Sequence, residues 1–334
     1  MDPGETSRYA LFPNLSWLGM RRFRDCERRW YNAHAVNKID HGKTELHWAL
    51  HREGRLAPWN TITGSSVDKA ITAALRCRRN GEPWPDDLPQ VAADHVDGFI
   101  AFSRKWADAV RSRQKWPRSE YQPLDRIYYG DEPTVQELKD VRDRARECTA
   151  RFEQGEVKRF IFEQNPATLV VPPAEGEGIP WTTIDGVPTY TSYDFIVRTE
   201  EEVTIFDWKT GRLTELSEKK AVMQLHIYAL YAINEWGVQQ ERIRLVPVWL
   251  SVSGDMHSFP VQQSVLDRVV LDLRKTYDVL FERMERTGAN IAAMEQDFPL
   301  TDDLRECGRC MFRSCEGYRR LQAKVDEDNP FAGE

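Results

Sequence analysis

Residues 191–211 read TSYDFIVRTEEEVTIFDWKTG. Two short apolar runs, separated only by a charged stretch, predict two consecutive strands. Asp194 lies in the first and Asp207 in the second, and Lys209 follows Asp207 by two residues. Strand side chains repeat with period two, so Lys209 projects from the same face as Asp207. Gly211 lets the chain turn sharply out of the sheet.

Two aspartates on neighbouring strands direct hard oxygen ligands at one spot, the ligand type that suits Mg²⁺ or Mn²⁺. An ammonium beside them can orient a water molecule and stabilise the charge that builds on a phosphoryl group. The set therefore reads as a site for phosphodiester hydrolysis. An isolated Asp-x-Lys before a glycine also reads as a strand end running into a surface turn.

The rest of the chain supplies the setting. Its 334 residues, without an internal repeat, suit one elaborated α/β domain or a core domain with a helical insertion. Residues 15–36 predict one helix, with Ser16 as a cap near its start. Gly64 is expected to mark a turn before an amphipathic helix that ends at Gly81. After the proline-rich break EPWPDDLP, helical spacing over about 90–115 and 134–163 predicts an all-helical insertion. A second break, PPAEGEGIP, precedes a change of period: ATLVVPP, GVPTYTSYDFIVRT and EEVTIFDWKTG predict consecutive strands. LSEKKAVMQLHIYALYAINEWG predicts a helix with Val222, Leu225, Ala229, Ala232 and Ile233 on its apolar face. RIRLVPVWLSVSG and MHSFPVQ predict two more strands, and residues 262–287 a last long helix. The expected organisation is an N-terminal helical part at 1–81, the insertion at 82–165, a mixed-sheet core at 166–300 and a cysteine-bearing segment at 301–334. The end, KVDEDNPFAGE, is charged and expected to be mobile.

A net charge of −7 argues against a protein wrapped everywhere in nucleic acid, while leaving room for a local basic face. No apolar run approaches the roughly 20 residues that span a bilayer. The first residues, MDPGETSRYALFPNLSWLGM, do not read as a signal peptide, and a cytoplasmic location is expected.

Gln224 and Tyr228 sit four residues apart on the helix after Asp-x-Lys, so they share one of its faces. DFIVRTEEEVTIFDWKTG followed by QLHIY resembles the RecB-like branch of the PD-(D/E)XK nucleases. That branch carries an aspartate, then Asp/Glu-x-Lys on the next strand, then Gln-x-x-x-Tyr on a helix. The resemblance implies an α/β fold with a restriction-endonuclease-like core, a mixed sheet flanked by helices, and a metal-dependent DNA nuclease. It implies that Asp194, Asp207 and the main-chain carbonyl of Trp208 bind the metal and that Lys209 is the catalytic lysine. Gln224 and Tyr228 would position the DNA strand near the scissile phosphate. The chain departs from the branch in two places. Tyr193 stands where the family name expects proline, and Asp68, in TGSSVDKAI, stands where these nucleases carry a metal-binding histidine. Asp68 is either a further ligand for Mg²⁺ or Mn²⁺ or an exposed helix residue.

Of six cysteines, Cys307, Cys310 and Cys315 form C-x2-C-x4-C. Cytosolic cysteines rarely form disulfides, so a patterned subset points to metal or catalysis. A tetrahedral zinc ion or a [4Fe–4S] cluster needs a fourth ligand. In some RecB-like nucleases, AddB-type helicase–nucleases and CRISPR-associated spacer-acquisition exonucleases among them, one cysteine on an N-terminal helix joins three near the C terminus around a [4Fe–4S] cluster. LSWLGMRRFRDCERRWY resembles that helix. The resemblance implies Cys26 as the fourth ligand of a structural cluster that staples the N- and C-terminal segments, with Zn²⁺ as the alternative. Cys77 and Cys148 are expected as core or half-buried thiols.

Arg21, Arg22, Arg28 and Arg29 surround Cys26, and Lys219 and Lys220 lie in the first turns of the Gln–Tyr helix. These are the expected DNA contacts, although an arginine run also reads as a solvated helix face. No G-x4-G-K-[ST] is present, so an ATP motor would be a separate helicase or a CRISPR or defence partner. The expected activity is an exonuclease favouring single-stranded DNA, in repair, CRISPR adaptation or antiphage defence. The alternative is a catalytically silent DNA-binding or scaffold subunit of a larger nucleic-acid-processing complex.

Overall fold

A computed structural model describes residues 15–38, 44–111, 121–174, 178–287 and 295–328. The opening stretch up to residue 14, the expected helical residues 112–115 and the tail end 329–334 lie outside the described residues. The chain forms two compact units. One comprises Met1–Leu56, Asp108–Trp116 and Leu273–Glu334, the other Ala57–Ala107 and Pro117–Asp272.

The first unit opens with α1 (Trp17–Asp25), α2 (Glu27–Lys38) and α3 (Glu45–Glu53). Ser16 caps α1, its hydroxyl accepting the Gly19 N–H at 3.0 Å. The single helix predicted over 15–36 is two helices, because Cys26 adopts an extended backbone at φ −164° and ψ 115°. No glycine or proline marks the break. Tertiary docking sets it: the Arg28 N–H bonds the Pro299 carbonyl at 3.1 Å. The Arg28 guanidinium donates to the carbonyls of Phe298 and Glu295 at 2.7 and 2.5 Å and to the Glu295 carboxylate at 2.7 Å. Buried Trp30 and Tyr31 stack on buried Phe298 at the same joint.

The second unit begins its helices with α4 (Ile62–Asn80) and α5 (Leu88–Arg111), followed by a short α6 (Asp125–Tyr128), α7 (Val135–Gln154) and α8 (Glu156–Glu163). Gly64 lies inside α4 rather than in a turn, while Gly81 ends that helix in the left-handed conformation at φ 73°. The helix predicted over 134–163 divides at Gly155, where two backbones touch. A Cβ there would fall 2.3 Å from the Gly254 carbonyl oxygen, which accepts the Val157 N–H at 3.1 Å. This contact is invisible in local periodicity.

The main sheet runs β1 (Leu169–Val170), β4 (Phe195–Arg198), β5 (Val203–Trp208), β6 (Ile243–Val248), β7 (Phe259–Pro260), with β5 and β6 parallel and the other neighbours antiparallel. The strand predicted over 186–199 is two strands. Its first half, β3 (Val187–Tyr190), pairs with β2 (Trp181–Ile184) in a separate hairpin. Asp185 and Gly186 make the turn with φ of 49° and 77°, the Asp-Gly signature of a two-residue hairpin. Between β5 and β6 runs α9 (Glu215–Trp236), capped by a Thr214–Ser217 box and packed on β5, β6 and β2. Phe195, Val197, Phe206, Trp208, Val246 and Val248 pack into one core with α4, α5, α7 and α8. Alternation along β5 therefore turns Asp207 to the opposite face.

Three helices follow: α10 (Gln263–Thr287), α11 (Leu304–Gly308) and α12 (Glu316–Asp328). Residues 324–328, expected to be mobile, complete α12. Among the described residues no helix is long and apolar enough to cross a membrane.

Candidate functional site

β4 and β5 pair with Phe195 opposite Phe206. One residue further, that register sets Asp194 across from Asp207. The Asp194 carboxylate accepts the Trp208 N–H at 2.6 Å, which ties it to the end of β5. Asp207 is 1 % exposed, and its Oδ2 is ion-paired with Lys209 but accepts no hydrogen bond. The Lys209 N–H bonds the Val248 carbonyl at 2.8 Å, extending the β5–β6 ladder past the strand end. Its ammonium donates to Gln224 Oε1 at 3.0 Å, Gln224 Nε2 donates to the Tyr228 hydroxyl at 2.6 Å, and that hydroxyl donates to the Ser192 carbonyl at 2.6 Å. This directional chain turns the Gln224 oxygen toward the lysine and ties α9 to the segment before β4.

Asp68, on α4, belongs to the same electrostatic group. Burial pushes its carboxyl up to about 6; Lys69 opposes the rise and Asp207 adds to it. Asp194 is raised well above the usual carboxylate range, first by burial, then by Asp207 and Asp68, against Lys209 and the Trp208 N–H. Tyr228 is raised by burial and then by Asp207 and Asp194, so its hydroxyl stays protonated. Three acidic groups thus share one region, with Lys209 paired to Asp207 and with Lys69 and Arg76 acting on Asp68. Buried carboxylate oxygens that raise one another's pKa are hard donors that fit a divalent cation. Of Trp208, the indole is buried in the core against Phe152, Phe195 and Phe206, which leaves its main-chain groups on the side of Asp194.

A cavity of about 750 Å³ has Asp68 and Asp194 in its wall together with Lys69, Thr72, Arg76 and His95. Sequence reasoning missed the last four. Asp68, Thr72 and Arg76 recur every four residues along α4, and that stripe was the available signal. Arg76 donates to the carbonyls of Pro172 and Pro173 at 3.0 and 3.1 Å.

In the first unit, Cys26, Cys307, Cys310 and Cys315 line one small cavity with Arg29 and Asn32. All are free thiols. Burial raises Cys307 and Cys315 and pushes Cys310 up to about 12. The N–H groups of Phe312 and Gly317 oppose it at Cys310 and Cys315 respectively, the arrangement that stabilises a thiolate. A Cβ at Gly317 would fall 2.9 Å from the Cys307 sulfur, so a glycine leaves that sulfur its room. Soft donors, N–H groups aimed at sulfur and this cradle fit a metal–thiolate centre. Glu53, which sequence reasoning also missed, is 3 % exposed and accepts the N–H and hydroxyl of Ser314, pinning the loop between Cys310 and Cys315. Among the described residues, no group of three or more His, Cys, Asp or Glu side chains stands ready around a metal ion.

The arginines around Cys26 turn inward more than a solvated face would. Arg28 is held by Glu295 and Phe298 as described, and Arg29 lies on the cysteine cavity, 4.0 Å from Glu306. Burial lowers Arg22, with Cys310 nearby. Arg21 is half-buried. Lys219 is exposed and bonded to Glu215 at 2.5 Å, one turn back, and Lys220 is half-buried. Cys77 is half-buried and Cys148 buried.

The sequence profile of the PD-(D/E)XK nuclease superfamily matches residues 14–315. No curated protein and no solved structure matches the chain.

Proposed function

Because this chain belongs to the PD-(D/E)XK nuclease superfamily, we propose that it is a metal-dependent deoxyribonuclease, an exonuclease favouring single-stranded DNA. The observation that carries this reading is the assembly on β4, β5, α4 and α9: three mutually repelling carboxyls and a lysine whose ammonium is aimed by Gln224 and Tyr228. Asp194, Asp207, Asp68 and the Trp208 carbonyl would hold Mg²⁺ or Mn²⁺. When bound, the cation supplies Lewis-acid stabilisation of the charge on the scissile phosphate. Lys209 orients the attacking water and offsets charge on the phosphoryl oxygens. Gln224 holds that ammonium in place, and Tyr228, locked to Ser192, holds Gln224.

The cavity beside Asp68 and Asp194 is of the size that encloses a small ligand, and Lys69 and Arg76 give it cationic walls suited to a phosphate. Pro180 lines it, and the next residue, Trp181, is 59 % exposed and available to stack on an unpaired base. Both features support a single strand as substrate. In the first unit the four cysteines hold a [4Fe–4S] cluster in a structural role, with Zn²⁺ as the rival occupant. The protein works in cytoplasmic DNA processing, in repair, CRISPR adaptation or antiphage defence, beside a separate helicase or defence partner.

The test is digestion of single- and double-stranded DNA labelled at either end, with Mg²⁺ or Mn²⁺, by wild type and Asp207→Asn. The reading expects cation-dependent ladders that start at one end of the single strand and disappear in the variant. Internal cuts would remove the exonuclease assignment, and cutting that persists in Asp207→Asn would remove the site.

A further inference from the structure

Asn32 lies on α2, six residues after Cys26, and is 1 % exposed. Its amide lines the cavity shared by the four cysteines. Neither its nitrogen nor its oxygen has a hydrogen-bond partner of good geometry. A buried amide without partners is costly, and native folds rarely keep one without a use. Of the four thiols in that cavity, Cys315 is one toward which the amide acts as a donor, short of full hydrogen-bond geometry. Arg29, three residues back on the same helix, lines the same cavity, so one face of α2 presents a cation and an amide to the thiols.

We propose that Asn32 donates its amide N–H to the sulfur of Cys315 in the assembled metal–thiolate centre and thereby governs how long that centre survives. The inference rests on reading the four thiols as such a centre. Thiolates bound to metal carry negative charge that neutral thiols lack. A donor that faces only a neutral thiol in the metal-free chain, without full hydrogen-bond geometry, therefore gains a stronger acceptor when the centre forms. N–H groups around metal-bound sulfur lower the electron density there and slow its oxidation and exchange. The main chain gives Cys310 and Cys315 one such group each, from Phe312 and Gly317. Asn32 adds a side-chain donor from the opposite chain segment.

Asn32→Leu separates this role from simple packing, because the two predict opposite signs. Leucine keeps the volume and removes an unpaired buried amide, so the metal-free variant should melt at or above the wild-type temperature. The loaded centre should instead fail faster. Iron, acid-labile sulfide and zinc are first measured in anaerobically purified wild type, which identifies the occupant. For a cluster, visible absorbance is then followed in air; for zinc, release to a chromogenic chelator is followed. Loss about 10-fold faster in Asn32→Leu, with unchanged metal per chain at the start, is the expected result. Asn32→Ala, which removes the donor without adding a charge, carries the comparison if the leucine variant does not fold. Wild-type lifetimes in the folded variants would overturn the proposal while leaving the centre intact. A wild-type chain that takes up neither iron–sulfur nor zinc would sink the centre and the proposal together.

Discussion

Asp68→Asn asks whether α4 contributes to the charge cluster or carries an ordinary surface aspartate. The Asp68 carboxyl moves from its ordinary value of 3.8 to about 6, chiefly by burial. A rise of that size corresponds to about 3 kcal/mol, and partial exposure screens this to about 1–3 kcal/mol. For a carboxyl raised on folding, the folded chain holds the proton between the two pKa values. The metal-free protein therefore loses stability as pH rises from about 4 to about 6, and carries the full cost above that. An asparagine at this position would carry no such charge. In EDTA at pH 8 the variant should unfold at higher denaturant than wild type, by about 1–3 kcal/mol, and the gap should close near pH 4. Adding Mn²⁺ should stabilise wild type more than the variant, which has one ligand fewer. Denaturant unfolding of both proteins, in EDTA and in Mn²⁺ at both pH values, makes every one of these comparisons. A variant no more stable than wild type in EDTA at pH 8, with a wild-type Mn²⁺ response, would refute the placement of Asp68 in the cluster.

Other consequences are independent of that one. His226 is buried, donates through Nδ1 to the Val222 carbonyl at 2.7 Å and accepts the Gln262 N–H at Nε2 at 3.1 Å, and burial lowers its pKa. A base depressed on folding contributes stability above about 6.5 that is lost as pH falls. The advantage of wild type over His226→Leu in thermal melts should therefore shrink from pH 7.5 to pH 5. Gly155→Ala forces a methyl into the Gly254 backbone and should cost about 1–3 kcal/mol or more in urea unfolding, because backbone cannot swing aside as a side chain does. Cys26→Ser should lower metal per chain and the melting temperature of the first unit, read by metal analysis and calorimetry, while Cys77→Ser should change neither.

The parts of this fold that could be read in advance obey local rules. Period two along residues 195–208 and period 3.6 along 215–236 are enough to set Asp207 and Lys209 on one strand face and Gln224 and Tyr228 on one helix face. The Gly81 and Gly237 helix ends follow from the left-handed conformation glycine tolerates. What escaped depends on distant contacts. The break at Cys26 is set by residues some 270 positions away, which hold Arg28. The break at Gly155 is set by Gly254. Lys69, Arg76 and His95 meet only where α4, α5 and the segment after β1 surround one cavity. The hairpin at 181–190 differs in kind: Asp185-Gly186 is a local signal, masked because the flanking residues also read as part of a longer strand.

The central claim is that Lys209, aimed by Gln224, acts with a cation held by the aspartates. Its most direct test is the cleavage rate of labelled single-stranded DNA in Mn²⁺, wild type beside Lys209→Ala, with Mn²⁺ binding and the circular dichroism spectrum of each recorded on the same preparations. The account predicts a loss of at least about 100-fold in rate with both controls unchanged. Equal rates in the two proteins would contradict it.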